Sequence, residues 1–442
     1  MSHSNEDVLI SGLIENSLSM DMSLEQCISE FIDNQIDANA SVCKFWLGYL
    51  EECKSHAFIC IDNGDGMSEN QIEESLKMHN RNPATKKNGK FGQGGVWASI
   101  VLTEAKGRHI RMSCVDKENI HMCEINWERA RAENKLNRKS HELTKTGDKI
   151  WERFSITNMT SGTIDVLCIS EERYIELYEN IFKKKLANNY VFSFSYMYNY
   201  WLESLKISFS TDDEERLVPA FNPLLWKEII DEDKDTFVVK LYKHSQDNKQ
   251  QYTYIFQQKN TTNKKKFYYF PEKKPIVFQV DKHVLVGEFV IKFSYCDFEL
   301  LKNKLKECHI IKQNINISTE YQKNFTGLFF ERNHRVLAKL DPLPIQQVGG
   351  DEWKRSFYRN VKTKVEFDHH FDDIFKIQVN KSKINLKDFD GNFDSFLENL
   401  TKKFASDTKT WNDISDEKKK QKKEEKEKKE EKVEKKREEK KV

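Results

Sequence analysis

Glu30-Phe31-Ile32-Asp33-Asn34-Gln35-Ile36-Asp37-Ala38 is the stretch on which the reading of this chain turns. Leu24, Cys27, Ile28, Phe31, Ile32 and Ile36 recur at helical spacing and give a helix with one apolar face. Ser23, with Gln26 three residues on, forms a capping box that starts it. Glu30, Asn34 and Asp37 follow at i, i+4 and i+7, with Asp33 beside them, and make a polar stripe next to the core. A polar stripe on a helix is usually a solvated face. Asn and Asp are nonetheless poor mid-helix residues, because their side chains compete for the backbone. A metal ion and a phosphate would compensate. Magnesium takes oxygen ligands and keeps several waters, so one amide oxygen and a triphosphate suffice.

Two further segments follow within about a hundred residues of the start. The apolar run His56-Ala57-Phe58-Ile59-Cys60-Ile61 reads as a buried strand and leads into Asp62-Asn63-Gly64-Asp65-Gly66-Met67. A carboxylate at Asp62, on the strand's end, can accept a hydrogen bond from an adenine amino group. Gly64 and Gly66 let a base approach the backbone, and Met67 can pack on a flat ring. The competing reading is a plain turn, since Asn-Gly and Asp-Gly are strong turn formers. Ser68 and Gln71 form a second capping box, opening a helix through about Asn80. The third segment, Phe91-Gly92-Gln93-Gly94-Gly95, closes a polar stretch from Arg81 and precedes an apolar helix beginning near Val96. Glycine-freed amides at a helix start suit phosphates. Lys86, Lys87 and Lys90 either help hold them or serve solubility. The combination points to ATP binding without a P-loop.

With these residues in view, the chain resembles the GHKL ATPase superfamily: gyrase, MutL mismatch-repair proteins, the large heat-shock chaperones, histidine kinases and MORC proteins. Glu30 through Ala38 resembles the first box, Asp62 to Met67 the second, and Phe91 to Gly95 the lid box in a form close to that of MORC proteins. Ser161-Gly162-Thr163, before the apolar strand Ile164 to Ile169, resembles a fourth element whose threonine lies beside the aspartate. The resemblance implies Glu30 as general base and Asn34 as magnesium ligand. It implies Asp62 as adenine reader with Thr163 behind it, and Asp37, Gly64, Gly66 and Met67 as further nucleotide contacts. Gly92, Gln93, Gly94 and Gly95 would fold over the phosphates. Histidine kinases differ in their first box and carry an upstream phosphoacceptor helix, for which the roughly thirty residues before Glu30 leave little room.

The resemblance also implies α+β organisation. An N-terminal arm (1–20) precedes a GHKL α/β sandwich (21–232), a ribosomal-protein-like transducer (233–410) and a Lys/Glu-rich helical or disordered tail (411–442). In the transducer region, Phe329-Phe330-Glu331-Arg332-Asn333-His334-Arg335-Val336-Leu337 resembles the MORC and MutL second domain. The Asn380-Lys381 pair matches the MORC lysine that reaches the terminal phosphate, which makes Lys381 the second catalytic expectation and Lys383 the fallback. Both could equally be surface lysines. The strand-like runs of this part include Phe237 to Tyr242, Tyr252 to Gln257, Lys266 to Phe270, Pro275 to Val280 and Glu288 to Tyr295. The Asp368-His369-His370 loop and the Tyr268-Tyr269-Phe270 run read as surface and strand, not as a metal site or a base-stacking platform.

Composition bounds the partners. The 38% hydrophobic content over 442 residues supports real cores, and the excess in the 32% charge lies mostly in the tail, which lacks a heptad seam. A net charge of +1 carries no global nucleic-acid signal. Nine scattered cysteines without a CxxC pair read as reduced thiols, and no apolar run is long enough to span a membrane. The expectation is an intracellular protein, cytoplasmic or nuclear. It would be a magnesium-dependent ATPase that dimerises on ATP as a clamp, with DNA as the cargo implied by the resemblance. A protein-remodelling chaperone and a weakly hydrolysing, nucleotide-dependent binding module are the alternatives.

Overall fold

A computed structural model describes residues 10–19, 22–76, 94–117, 119–136, 140–184, 189–221, 236–246, 249–259, 268–270, 284–295, 298–308, 327–340 and 361–372, together with 374–375, 393, 395–397 and 399–400. Gly92, Gln93, Lys86, Lys87, Lys90, Lys381, Lys383, the Pro275 to Val280 run and the tail lie outside the described residues.

Helix α1 (Ile10–Ser19) is followed by α2 (Leu24–Asp37), which carries the first box. Its capping box is formed: Ser23 Oγ accepts from the Gln26 amide at 3.2 Å, and Gln26 Oε1 accepts from the Ser23 amide at 2.8 Å. Strands β1 (Val42–Leu50) and β2 (Ser55–Asp62) form a hairpin, and α3 (Glu69–Ser75) and α4 (Gly94–Leu102) come next. Then follow β3 (Arg108–Cys114), β4 (Ile120–Asn126), α5 (Trp127–Glu133), β5 (His141–Glu142), α6 (Lys145–Phe154) and β6 (Gly162–Ile169). Helix α7 (Glu171–Tyr178), α8 (Tyr190–Met197), β7 (Lys206–Ser210) and β8 (Glu215–Leu217) complete the first part. Helix α7 passes into a π turn over Glu179–Lys183, where Asn180 Nδ2 donates to the Glu176 carbonyl at 2.8 Å.

Among the described residues these strands make an eight-stranded sheet in the order β5-β4-β3-β6-β2-β1-β7-β8, antiparallel except where β1 meets β7. Alternation along the strands gives it two apolar faces. Phe45, Phe58, Leu167 and Phe209 pack beneath α2, α4 and α8 through Phe31, Leu102 and Phe194. Ile59, Ile61, Ile110 and Val166 form the opposite core with Ile150 of α6. The organisation is the mixed α+β one expected from the sequence.

Residues 10–19 of the N-terminal arm form helix α1. In α1, Ile14 is fully buried against Val96, Ile100 and Trp127, and Glu15 pairs with Arg131, so residues 10–19 belong to the first core.

A second sheet takes the rest: β9 (Thr236–Gln246), β10 (Lys249–Gln258), β11 (Tyr268–Phe270), β12 (Val284–Tyr295), β13 (Gly327–Arg332), β14 (Arg335–Leu340) and β15 (Val361–Phe367), with α9 (Phe298–Glu307). Its order is β11-β10-β9-β12-β15-β13-β14. One face builds a phenylalanine-rich core from Phe237, Phe289, Phe293, Phe330, Phe375, Phe393 and Phe396. The Tyr268-Tyr269-Phe270 run is strand, paired with β10. His370 sits exposed on a short 3-10 turn, bonded to Asp368 at 2.9 Å.

The two sheets meet at the β13–β14 hairpin. Its turn residues, Asn333 and His334, both have positive φ, 48° and 65°, which gives a tight reversal. His334 stacks on Tyr200 at 4.1 Å, and Phe329 and Val336 pack against Tyr196 of α8.

Phe58 is fully buried and stacks on Phe45 at 5.6 Å. Phe58→Ala is expected to cost about 3–5 kcal/mol. Urea unfolding followed by far-UV circular dichroism measures it; a loss under 1 kcal/mol would place this ring outside the stabilising core.

Candidate active site

The α2 stripe divides by depth. Glu30 is buried, Asp37 is half-buried and Asn34 is exposed, so the helix carries its polar residues from the core outward to solvent. Glu30 meets the start of α4. A side chain on Gly94 would place its Cβ 1.8 Å from Glu30 Oε2, and one on Gly95 would lie 2.9 Å from Asn34 Nδ2. The glycines therefore let the first turn of α4 lie directly against the carboxylate and the amide of α2. Both glycines belong to the helix, which begins two residues earlier than the sequence suggests. Its first-turn amides have no intrahelical acceptors and carry the positive end of the helix dipole.

The second box closes on the first. The Asp65 amide donates to the Ala38 carbonyl at 2.7 Å, so Ala38 anchors the loop that follows Asp62. Gly66 has φ +69°, and a Cβ there would fall 1.7 Å from the Cys114 carbonyl oxygen. No other residue type fits that position. Met67 is fixed by its own amide, which donates to Ser113 Oγ at 2.9 Å, and its side chain packs toward Ile72 and Val96.

Strand register then sets a row of polar side chains across β2, β6 and β3. Asp62 pairs with Thr163, and Thr163 pairs with Ser113. The Thr163 and Ser113 hydroxyls are 3.0 Å apart, and Ser113 Oγ donates to the Gly162 carbonyl at 2.8 Å. The Ser161 hydroxyl donates to the Gly64 carbonyl at 2.7 Å and ties the fourth element to the second box. The structure thus brings Asp62, Gly64, Gly66, Met67 and Thr163 together at one edge, and Glu30, Asn34, Gly94 and Gly95 at the adjoining helices.

One row deeper on the same face, Cys60, Asp165 and Arg111 align. Arg111 Nε donates to Asp165 Oδ1 at 2.7 Å, and His109 Nε2 lies 2.7 Å from the same oxygen. A carboxylate can only accept, so that His109 nitrogen carries the proton. Sequence reading missed Ser113, Arg111, His109 and Asp165, because only register brings them to the site.

The two buried carboxylates are driven apart. Burial alone would raise Asp165, but Arg111 and His109 outweigh it and hold it at about 2. Asp62 has no such partner: burial pushes it up to about 7, opposed chiefly by the Gly64 amide, which donates to Oδ1 at 2.8 Å. No side-chain ion pair reaches Asp62 among the described residues. Among the described residues, Asp62 is a buried acceptor at a row's edge with hydrogen bonds from backbone only.

Residues 22–163 match the family model described as "Histidine kinase-, DNA gyrase B-, and HSP90-like ATPase". That match supports a GHKL-type ATPase domain in this part of the chain. No curated protein sequence matches the chain. Among solved structures, the N-terminal domain of a DNA repair protein aligns with a TM-score of 0.43 and 12% identity, over 92% of this chain and 98% of that one.

Because the fold raises the Asp62 pKa from 3.8 to about 7, it favours the neutral acid. The stability contributed by this group is full below 3.8 and lost as pH rises through about 7. Carboxyl-carbon NMR of the nucleotide-free chain is expected to show one aspartate titrating near pH 7 that disappears in Asp62→Asn. An Asp62 midpoint near 4 would contradict the buried, unpaired environment.

Proposed function

We propose that this chain is a magnesium-dependent ATPase whose nucleotide lies between the Asp62–Thr163–Ser113 row and the Glu30–Gly94 contact. The observation that carries the reading is the direct approach of the α4 start to the Glu30 carboxylate. It puts phosphate-suited amides and a buried base within one side chain of each other. Asp62 accepts from the adenine amino group, Thr163 and Ser113 form the floor beside it, and Gly64, Gly66 and Met67 frame the base. Asp37 and the lid residues Gly92, Gln93, Gly94 and Gly95 complete the enclosure.

For hydrolysis, Glu30 orients a water and takes its proton as the oxygen bonds to the terminal phosphorus. The bond from that phosphorus to the bridging oxygen breaks, and the electron pair leaves with ADP. Lys381, from the second domain, steadies the charge on the transferred phosphoryl group. Among the described residues no cluster of three His, Cys, Asp or Glu offers an all-protein metal cage. A solvent-facing Asn34 amide fits the other mode of magnesium binding, with one protein oxygen and the rest from phosphate and water. When bound, the ion neutralises phosphate charge.

We further propose that ATP binding joins two chains as a MORC-like clamp, with the second domain as transducer and DNA as cargo. This part rests on the likeness of Phe91 to Gly95, Phe329 to Leu337 and Asn380-Lys381 to MORC sequences. A ligand shifts such an equilibrium only through its preference for one state. The triphosphate has that preference because it engages the lid and Lys381 together.

Glu30→Ala is expected to keep ATP affinity and to lose most phosphate release; titration calorimetry and a phosphate assay separate the two, and wild-type turnover would remove Glu30 from the mechanism. Measured above pH 7, where Asp62 is ionised, Asp62→Asn removes a charge-assisted acceptor contributing about 1.5–3 kcal/mol, so ATP affinity should fall tenfold or more. Equal affinity for GTP and ATP in the wild type would contradict adenine reading. In light scattering, a non-hydrolysable ATP analogue should double the mass of the wild-type chain and not that of Lys381→Ala. A salt-insensitive or absent DNA interaction would count against the proposed cargo.

A further inference from the structure

The catalytic helix is held from behind by the second domain. Asp33 lies on α2 between Glu30 and Asn34, and its carboxylate is paired with the guanidinium of Arg335, the first residue of β14, 302 positions away in sequence. Both side chains are almost completely enclosed, at 5% and 3% exposure. Tyr198 completes the group. Its hydroxyl lies 3.0 Å from Asp33 Oδ1 and 3.1 Å from the Ser29 carbonyl, and Arg335 sits over its ring at 5.4 Å. One turn of α2, from Ser29 to Asp33, is therefore gripped by a residue of the second sheet through a tyrosine at the end of α8. Burial lowers the Arg335 pKa, and the nearby Glu30 carboxylate opposes that shift.

Nothing in nucleotide recognition needs this contact. Asp62, Thr163 and Ser113 are fixed by strand register within the first sheet. Glu30 rides on α2, three residues from Asp33, so its direction follows the pose of that helix. A bidentate-capable, always-charged fork buried on one carboxylate fixes angle as well as distance, which an ammonium does not.

We propose that Arg335 is a positioning residue for hydrolysis: through Asp33 and Tyr198 it sets the orientation of α2 that aims Glu30, so that turnover depends on docking of the β13–β14 hairpin while nucleotide binding does not. This rests on the ATPase reading above and adds a residue to it that touches neither nucleotide nor water. It also makes docking of the second domain a condition for chemistry, separate from any lysine that reaches the phosphate.

The test uses the full chain and four variants: Arg335→Ala, Arg335→Lys, Tyr198→Phe and, as a control, Tyr254→Leu. The control breaks a buried ring stack, Tyr254 on Phe396 at 4.3 Å, on β10, which the sheet order separates from the β13–β14 hairpin by three strands. ATP affinity is read by calorimetry and turnover under saturating ATP. Backbone hydrogen exchange is read over residues 24–37. Expected are a tenfold or greater fall in kcat for Arg335→Ala with Kd changed less than threefold, partial recovery in Arg335→Lys, and a smaller fall in Tyr198→Phe. Exchange over 24–37 should quicken in the same order. Tyr254→Leu should lower the melting temperature and leave kcat within twofold. If Arg335→Ala does not fold, Arg335→Lys and Tyr198→Phe decide on the same criteria. Unchanged kcat in the Arg335 and Tyr198 variants, or an equal fall in Tyr254→Leu, would overturn the proposal while leaving the ATPase reading intact. A wild-type chain that neither binds nor turns over ATP would defeat that reading first, and this one with it.

Discussion

How closely α4 can approach α2 governs the rest of the arrangement. Two glycines at the start of α4 remove the side chains that would otherwise collide with Glu30 and Asn34. That single absence of atoms lets a helix start, a buried carboxylate and an exposed amide share one small volume. Elsewhere the two helices pack by ordinary apolar contact, with Phe31, Ile28, Ala98 and Leu102 in one core. A polar cluster held this tightly inside an otherwise apolar sandwich is where stability gives way to function.

The sheet supplies the second half of the arrangement by treating two aspartates differently. Asp62 and Asp165 occupy neighbouring rows of the same face, yet one is pushed up to about 7 and the other held near 2. Arg111 and His109 neutralise Asp165 and make it part of the scaffold. Among the described residues Asp62 has backbone donors only, which is the condition of an acceptor kept for something not part of the fold. Environments that push like groups apart are a recurrent mark of functional sites.

What the sequence disclosed follows from how far apart the interacting residues are. The α2 capping box and the glycines flanking Asp62 are encoded within a few positions, and their geometry could be read directly from Ser23, Gln26, Gly64 and Gly66. The Asp62–Thr163–Ser113 row was half legible. Thr163 carried a motif, but Ser113 sits in a strand with no distinguishing pattern, and only the register of β3 against β6 brings it in. The Arg335–Asp33 pair was not legible at all, since no local rule links positions 302 residues apart. Likewise Asp37 stood in the same stripe as Glu30, yet their different burial depends on what lies over each turn of α2. The π turn after α7 breaks a helix that spacing alone would have continued.

The two sheets are thus joined at the point where the proposed chemistry is most sensitive, through one hairpin turn seated on α8 and α2. The account stands or falls on where a nucleotide sits. A structure of the full chain with magnesium and a non-hydrolysable ATP analogue tests it most directly. The account predicts the adenine amino group within hydrogen-bond distance of the Asp62 carboxylate and the terminal phosphate at the Gly94–Gly95 amides, facing Glu30. An analogue bound elsewhere, or one whose phosphates point away from α4, would contradict it.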